Sequence, residues 1–150
     1  MADLKLQALD EDDLAVVSAQ CQDAIVRVGD LSFAARDQRF ALVCNRFDWM
    51  AANGAPDRTM RTKSYQRRRS GLRFERVASA QSTGFDASAS DAVLVLLAIT
   101  FVPSQAPAGT LHLQFAAGAE VRLDVECIEA ELRDLGAAWE TTLRPDHETS

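Results

Sequence analysis

Two stretches of the chain alternate strictly between apolar and polar positions. Leu111, Leu113 and Phe115 are separated by His112 and Gln114, and Val121, Leu123 and Val125 by Arg122 and Asp124. Period-two alternation puts one face in a core and the other in water, as antiparallel strands require. Gly118 lies in the connection between them and can take a positive φ at low cost, so the pair reads as a hairpin. Upstream, Ala92 to Val102 is apolar without alternation. It is too short for a membrane helix, which needs about 20 apolar residues. Its β-branched content and flanking turn signals predict a strand, and the missing alternation predicts that both of its faces are covered. Downstream, Ile128, Leu132 and Leu135 fall at i, i+4 and i+7, which predicts a helix over Cys127 to Leu135 with Gly136 as its stop.

The remaining pattern fills in around this unit. Leu4 to Leu9 alternates and reads as a first strand. Asp10 is placed to cap a helix from Glu11 to about Asp23 that turns Leu14, Val17 and Cys21 to one side. Ile25 to Phe33 and Phe40 to Trp49 read as two strands around a polar tip at Arg36 to Arg39, with Gly29 marking a bulge or a close backbone contact. From Gly71 to about Thr83 one further strand turns Leu72 and Phe74 inward and Arg73 and Glu75 outward. The fold class that results is α+β: a mostly antiparallel sheet of about seven strands, partly closed, with one N-terminal and one C-terminal helix. The element order resembles a pleckstrin-homology-like barrel, in which a C-terminal helix plugs one end; a half-open sandwich is the alternative. Residues 1–143 form a single globular domain, and 144–150 a flexible C-terminal tail.

Charge changes this picture in one place. The chain carries a net −6, which argues against nonspecific nucleic-acid binding by the molecule as a whole. Yet Arg58, Arg61, Lys63, Arg67, Arg68, Arg69, Arg73 and Arg76 are eight of its 16 basic residues, and Glu75 is the one acid among them. The segment is near +7, and the eight basic and 21 acidic residues elsewhere are near −13. Arg67, Arg68 and Arg69 cannot all face one way. These eight cations are the candidate anion-binding or partner-binding site, for an acidic protein or a phosphorylated ligand. Nucleic acid is a weaker candidate, because Tyr65 is the one aromatic interleaved in the basic loop. Asn45, Arg46 and Asp48 are candidate lining residues for a small pocket.

Other chemistry is scarce. The acids Asp10 to Asp13 suit the start of a helix better than a metal site. The two histidines, His112 and His147, select no nucleophile, and no phosphate-binding, dinucleotide or zinc motif appears. No catalytic residue, metal or cofactor is therefore expected. Cys21, Cys44 and Cys127 are widely spaced among apolar residues and read as reduced thiols. With no secretory signal or membrane span in the sequence, a cytoplasmic protein without a membrane partner is expected.

Four segments carry a resemblance: Leu4-Lys-Leu-Gln-Ala-Leu-Asp-Glu-Asp-Asp-Leu, Arg39-Phe-Ala-Leu-Val-Cys-Asn-Arg-Phe-Asp-Trp49, Arg67-Arg-Arg-Ser-Gly-Leu-Arg-Phe74 and Leu123-Asp-Val-Glu-Cys-Ile-Glu-Ala130. Together they resemble an uncharacterised family of alphaproteobacterial proteins catalogued as a domain of unknown function. The resemblance runs from about Leu4 to Trp139. It implies a bacterial, cytoplasmic, single-domain protein and supplies no activity, cofactor or catalytic residue. The expected function is a non-enzymatic binding or adaptor module acting through the basic surface. Two alternatives are an enzyme on a small metabolite, and a subunit of a homodimer or larger assembly joined by a strand edge or an apolar patch near Trp49 and Trp139.

Overall fold

Ten antiparallel strands and one α-helix account for the regular structure among the described residues. The computed structural model describes residues 4–47 and 67–135. The expectations placed on Asp48, Trp49, Arg58, Arg61, Lys63, Tyr65, Gly136, Trp139 and the 144–150 tail lie outside these residues.

In chain order the elements are β1 (Lys5–Ala8), α1 (Glu11–Gln20), β2 (Ala24–Arg27), β3 (Ser32–Ala34), β4 (Arg39–Phe47), β5 (Arg67–Phe74), β6 (Val77–Thr83), β7 (Val93–Pro103), β8 (Gly109–Phe115), β9 (Glu120–Val125) and β10 (Ala130–Asp134). The sheet runs β1-β10-β5-β4-β2-β7-β8-β9-β6, with β3 attached to β4. Its end strands, β1 and β6, do not pair with each other, so the sheet is not closed. Two long bent arms join its halves. β5 continues into β6 through Arg76 at φ 62°, and β9 continues into β10. The arms pair along both halves, and the amide of Glu75 donating to the Glu129 carbonyl spans the bend.

The hairpin expected at β8–β9 is present. Leu111, Leu113, Phe115, Val121, Leu123 and Val125 are all buried, and Gly118 has φ 78°. The helix also starts as its sequence requires. Asp10 accepts from the Asp13 amide at 2.8 Å, and Leu14, Val17 and Cys21 are buried. The Ser18 hydroxyl accepts the Ile99 amide at 2.9 Å, so α1 satisfies a β7 backbone donor just past a bulge in the β7–β8 register.

Four expectations are corrected. The stretch predicted as a closing helix contains β10, paired on both sides. Ile128, Ala130, Leu132 and Asp134 are its buried positions. Ile128 and Leu132 also fit an i, i+2 pattern through Ala130, with Leu135 out of phase, and pairing with β5 and β1 decided for the strand. The barrel reading loses the helix that would have been its plug. Second, β7 is a strand but is not covered on both faces. Leu94, Leu96 and Ile99 are buried, whereas Val93, Leu97 and Val102 are about half exposed. The bulge between Leu96 and Ala98 shifts the phase of alternation and hides it in the sequence. Third, Ile25 to Phe33 is two short strands. A 3-10 turn at Val28–Asp30 separates them where a Cβ on Gly29 would lie 3.1 Å from Ser90. Fourth, the strand expected from Gly71 begins at Arg67 and is divided at Arg76, which with the previous split and β10 gives ten strands in place of seven.

The thiols follow this packing. A hydrogen bond with Cys44 and burial together hold the Cys21 thiol well above its ordinary range, and Cys127 is only partly buried. In a thiol titration at pH 8, one thiol per chain should react while the protein is folded and the other two only in denaturant. Rapid reaction of all three would mean that this part of the core opens freely.

Candidate functional site

Strand alternation sorts the basic segment. Arg67, Arg69 and Arg73 of β5 share the outward side of the sheet. Arg68 between them is half-buried and lies opposite Arg46 in the register. The outward positions of β5 meet Phe47, Asn45, Val43 and Ala41 of β4 on one side, and Arg133 and Glu131 of β10 on the other. Lys5 of β1 stands beside Arg133. The outward face of β1, β10, β5 and β4 thus gathers Lys5, Arg133, Arg67, Arg69, Arg73 and Arg39. Glu131 is the carboxylate within it and Glu75 lies at its rim.

Among the described residues, ion pairs gather around Glu75 and Glu131. Glu75 binds Arg39 at 2.9 Å and Arg73 at 2.8 Å. Glu131 takes a second bond from Arg73 and sits 3.7 Å from Lys5. Arg76 turns to Glu129 at 3.3 Å. At the other end of β5 the Arg67 guanidinium lies 4.2 Å from the Phe47 ring centroid. Stacking of this kind orders an arginine without neutralising it. Arg133 is exposed and makes no ion pair among the described residues. Between Arg69 and Arg73 the strand carries Gly71, so the line of cations has a gap, over which Leu135 leans.

Of the second candidate set, Asn45 and Arg46 are not brought together, and Asp48 lies outside the described residues. Asn45 and Arg46 are consecutive on β4 and occupy opposite sides of the sheet; Asn45 is exposed and Arg46 is 1% exposed. Arg46 is instead the centre of a buried polar network. Its Nη2 donates to Asp134 Oδ1 at 2.7 Å and its Nε to Ser70 Oγ at 3.0 Å. Its Nη1 reaches the Phe47 carbonyl at 3.1 Å and Gln20 Oε1 at 3.5 Å. Ser70 donates to Asp134 Oδ1 at 2.7 Å, and the Leu4 amide donates to Oδ2 at 2.9 Å. Burial pushes the Asp134 carboxyl up, but the Leu4 amide, the Ser70 hydroxyl and the Arg46 guanidinium outweigh it and hold the group below its ordinary value. The network ties α1, β1, β4, β5 and β10 together and leaves the guanidinium no face toward solvent.

Sequence reasoning missed Lys5, Arg39 and Arg133 as members of the basic face and Ser70 and Asp134 as partners of Arg46. A period-two reading of residues 130–134 would have supplied Arg133 and Asp134. On the far half of the sheet, His112 Nδ1 lies 2.6 Å from Glu120 Oε2, with Thr100 and Arg122 as cross-strand neighbours. Among the described residues no group of three or more His, Cys, Asp or Glu side chains is arranged to hold a metal ion, and no helix is long and apolar enough to cross a membrane.

Nothing among the curated proteins or the solved structures matches this chain. The model of one family, described as proteins of unknown function (DUF2948), matches residues 4–147, nearly the whole sequence, and the chain belongs to that family.

Proposed function

We propose that the protein is a non-enzymatic binding module whose basic sheet face takes an acidic protein segment or a phosphate-bearing ligand. The observation that carries this reading is the strand register. It collects Lys5, Arg67, Arg69, Arg73 and Arg133 from three strands onto one outward surface, in a chain of net charge −6. Charge segregated in this way steers an anionic partner to one face while the rest of the surface repels it. Arginine suits the task because its planar fork bonds carboxylate or phosphate in two places. Glu75 and Glu131 hold Arg73 in place at one end, and Phe47 supports Arg67 at the other.

The test uses exposed positions that the fold can spare. Wild-type protein should be retained on immobilised heparin at low salt despite its net negative charge, and should elute as salt screens the contact. The triple variant Lys5→Glu, Arg67→Glu, Arg133→Glu should keep the wild-type circular dichroism and thermal midpoint within a few degrees, yet flow through. Retention of the variant, or flow-through of the wild type, overturns the reading.

A further inference from the structure

The sheet has a second surface with recognisable binding chemistry, at the opposite end of its strand order from β1. β6 pairs with β9, and among the described residues no strand covers its other edge. From Val77 to Thr83 it contains no charged residue and no proline. Those are the devices by which edge strands usually discourage pairing. The first part of the edge leans on the chain around Gln38, whose carbonyl accepts the Val77 amide. Beyond it, Ala80 and Ser82 border a groove of about 200 Å³ whose other walls are Leu31, Phe33, Phe40 and Phe85. A dry cavity of about 150 Å³ already takes a benzene ring, so the groove has room for one large apolar side chain.

We infer that this edge and groove bind an extended peptide of another protein. The peptide adds a strand antiparallel to β6 and drops one large apolar side chain between Phe33 and Phe85. A strand is the occupant because only another backbone satisfies a row of edge N–H and C=O groups in register. Side chains on a strand alternate, so every second residue of the added strand lies on the side of Ala80 and Ser82, over the groove. A second copy of this chain fits poorly. Its own β6 would present only Ala80 and Ser82 there and leave the apolar walls uncovered.

Charge further defines the peptide. Asp30 adjoins Leu31, and Asp86 lies between Phe85 and Ala87 of the groove, just past the Thr83 end of β6. The Ser88 hydroxyl and amide both bond Asp86 and hold its carboxyl below the ordinary value, so it is ionised at neutral pH. An antiparallel strand enters from this end. The complementary sequence therefore carries a basic residue N-terminal to its apolar anchor.

The probe is the peptide acetyl-Lys-Thr-Phe-Thr-Val-Thr-amide, titrated into ¹⁵N-labelled protein. Saturable shifts of the Ala80 to Thr83 amides are expected. At least a tenfold loss of affinity should follow when the peptide's Phe is replaced by Ser, or when the protein carries Ser82→Lys with an otherwise unchanged spectrum. Absence of shifts at β6, or shifts that the Ser peptide reproduces, overturns the proposal. A dimer seen by light scattering and dissolved by Ser82→Lys overturns it in favour of a second copy. The triple charge variant of the basic face should bind the peptide unchanged, which separates failure here from failure there.

Discussion

Replacing Asp134 with alanine is expected to cost the fold about 3–5 kcal/mol, the usual penalty for leaving one partner of a buried ion pair alone. The side chains of Arg46 and Asp134 are 1% and 3% exposed, so no water stands ready to replace the carboxylate. Urea denaturation at pH 7 measures the loss, and hydrogen exchange locates it. The amides of β1 should lose protection first, because Leu4 donates to the lost carboxylate and its carbonyl accepts from the Asp134 amide. Removing the whole network should cost far less. Arg46→Met, Ser70→Ala and Asp134→Leu together replace charges by apolar volume, which is often neutral or stabilising. The pair also predicts a pH dependence. The Asp134 carboxyl is held below its ordinary value in the folded state, so its stabilisation is complete above the unfolded carboxyl's pKa of about 3.9. It is lost as pH falls through the lower folded value. The difference between wild type and Asp134→Ala should therefore be widest near neutrality and narrow below about pH 4. An equal difference at pH 7 and at acid pH would mean that the carboxylate's charge is not what stabilises the fold.

This network is also where the sequence was least legible. β8 and β9 could be read directly because each residue's face follows from its own polarity. Asp10 could be read as a cap because capping is settled within four residues. Asp134 breaks that logic. It is a carboxylate on the inward side of β10, and Arg46, Ser70 and the Leu4 amide, 88, 64 and 130 positions away along the chain, make its burial tolerable. Local pattern treats an acid there as outward, which favours a helix over Cys127 to Leu135. The same misreading hid Arg133 from the basic face. β7 failed in the opposite sense. Val93, Leu97 and Val102 are apolar yet outward, and a bulge shifts the phase between them, so the stretch seemed to have two buried sides. Arg67, Arg69 and Arg73 were legible as cations, but their common face was fixed only once β5 was known to start at Arg67 and pair with β4 over its whole length. The β6 groove had no local signature, because its walls come from β3, β4 and the chain after β6 and meet only in the folded sheet.

Two glycines, Gly84 and Gly118, separate backbone strain from close contact, and the difference between them tests how firmly the end of β6 is held. Both have positive φ, 82° and 78°. An alanine at either position pays for a left-handed backbone, about 1–2 kcal/mol. Around Gly118 nothing lies within 4 Å of the added Cβ, so Gly118→Ala should show that cost alone. At Gly84 the Cβ would overlap the Gly118 carbonyl oxygen and sit 2.9 Å from Ala119 Cα. Both obstacles are backbone, and no rotamer change relieves them. Overpacking of this kind adds about 1–3 kcal/mol, so Gly84→Ala should lose about 2–5 kcal/mol in urea denaturation. Equal losses would mean that the β8–β9 turn and the end of β6 are not in contact in solution. The substitution should also act on the groove, since Phe85 follows Gly84 directly and a displaced backbone moves that wall. Gly84→Ala should therefore weaken the Lys-Thr-Phe-Thr-Val-Thr peptide, whereas Gly118→Ala, which strains the turn without crowding β6, should leave its affinity intact.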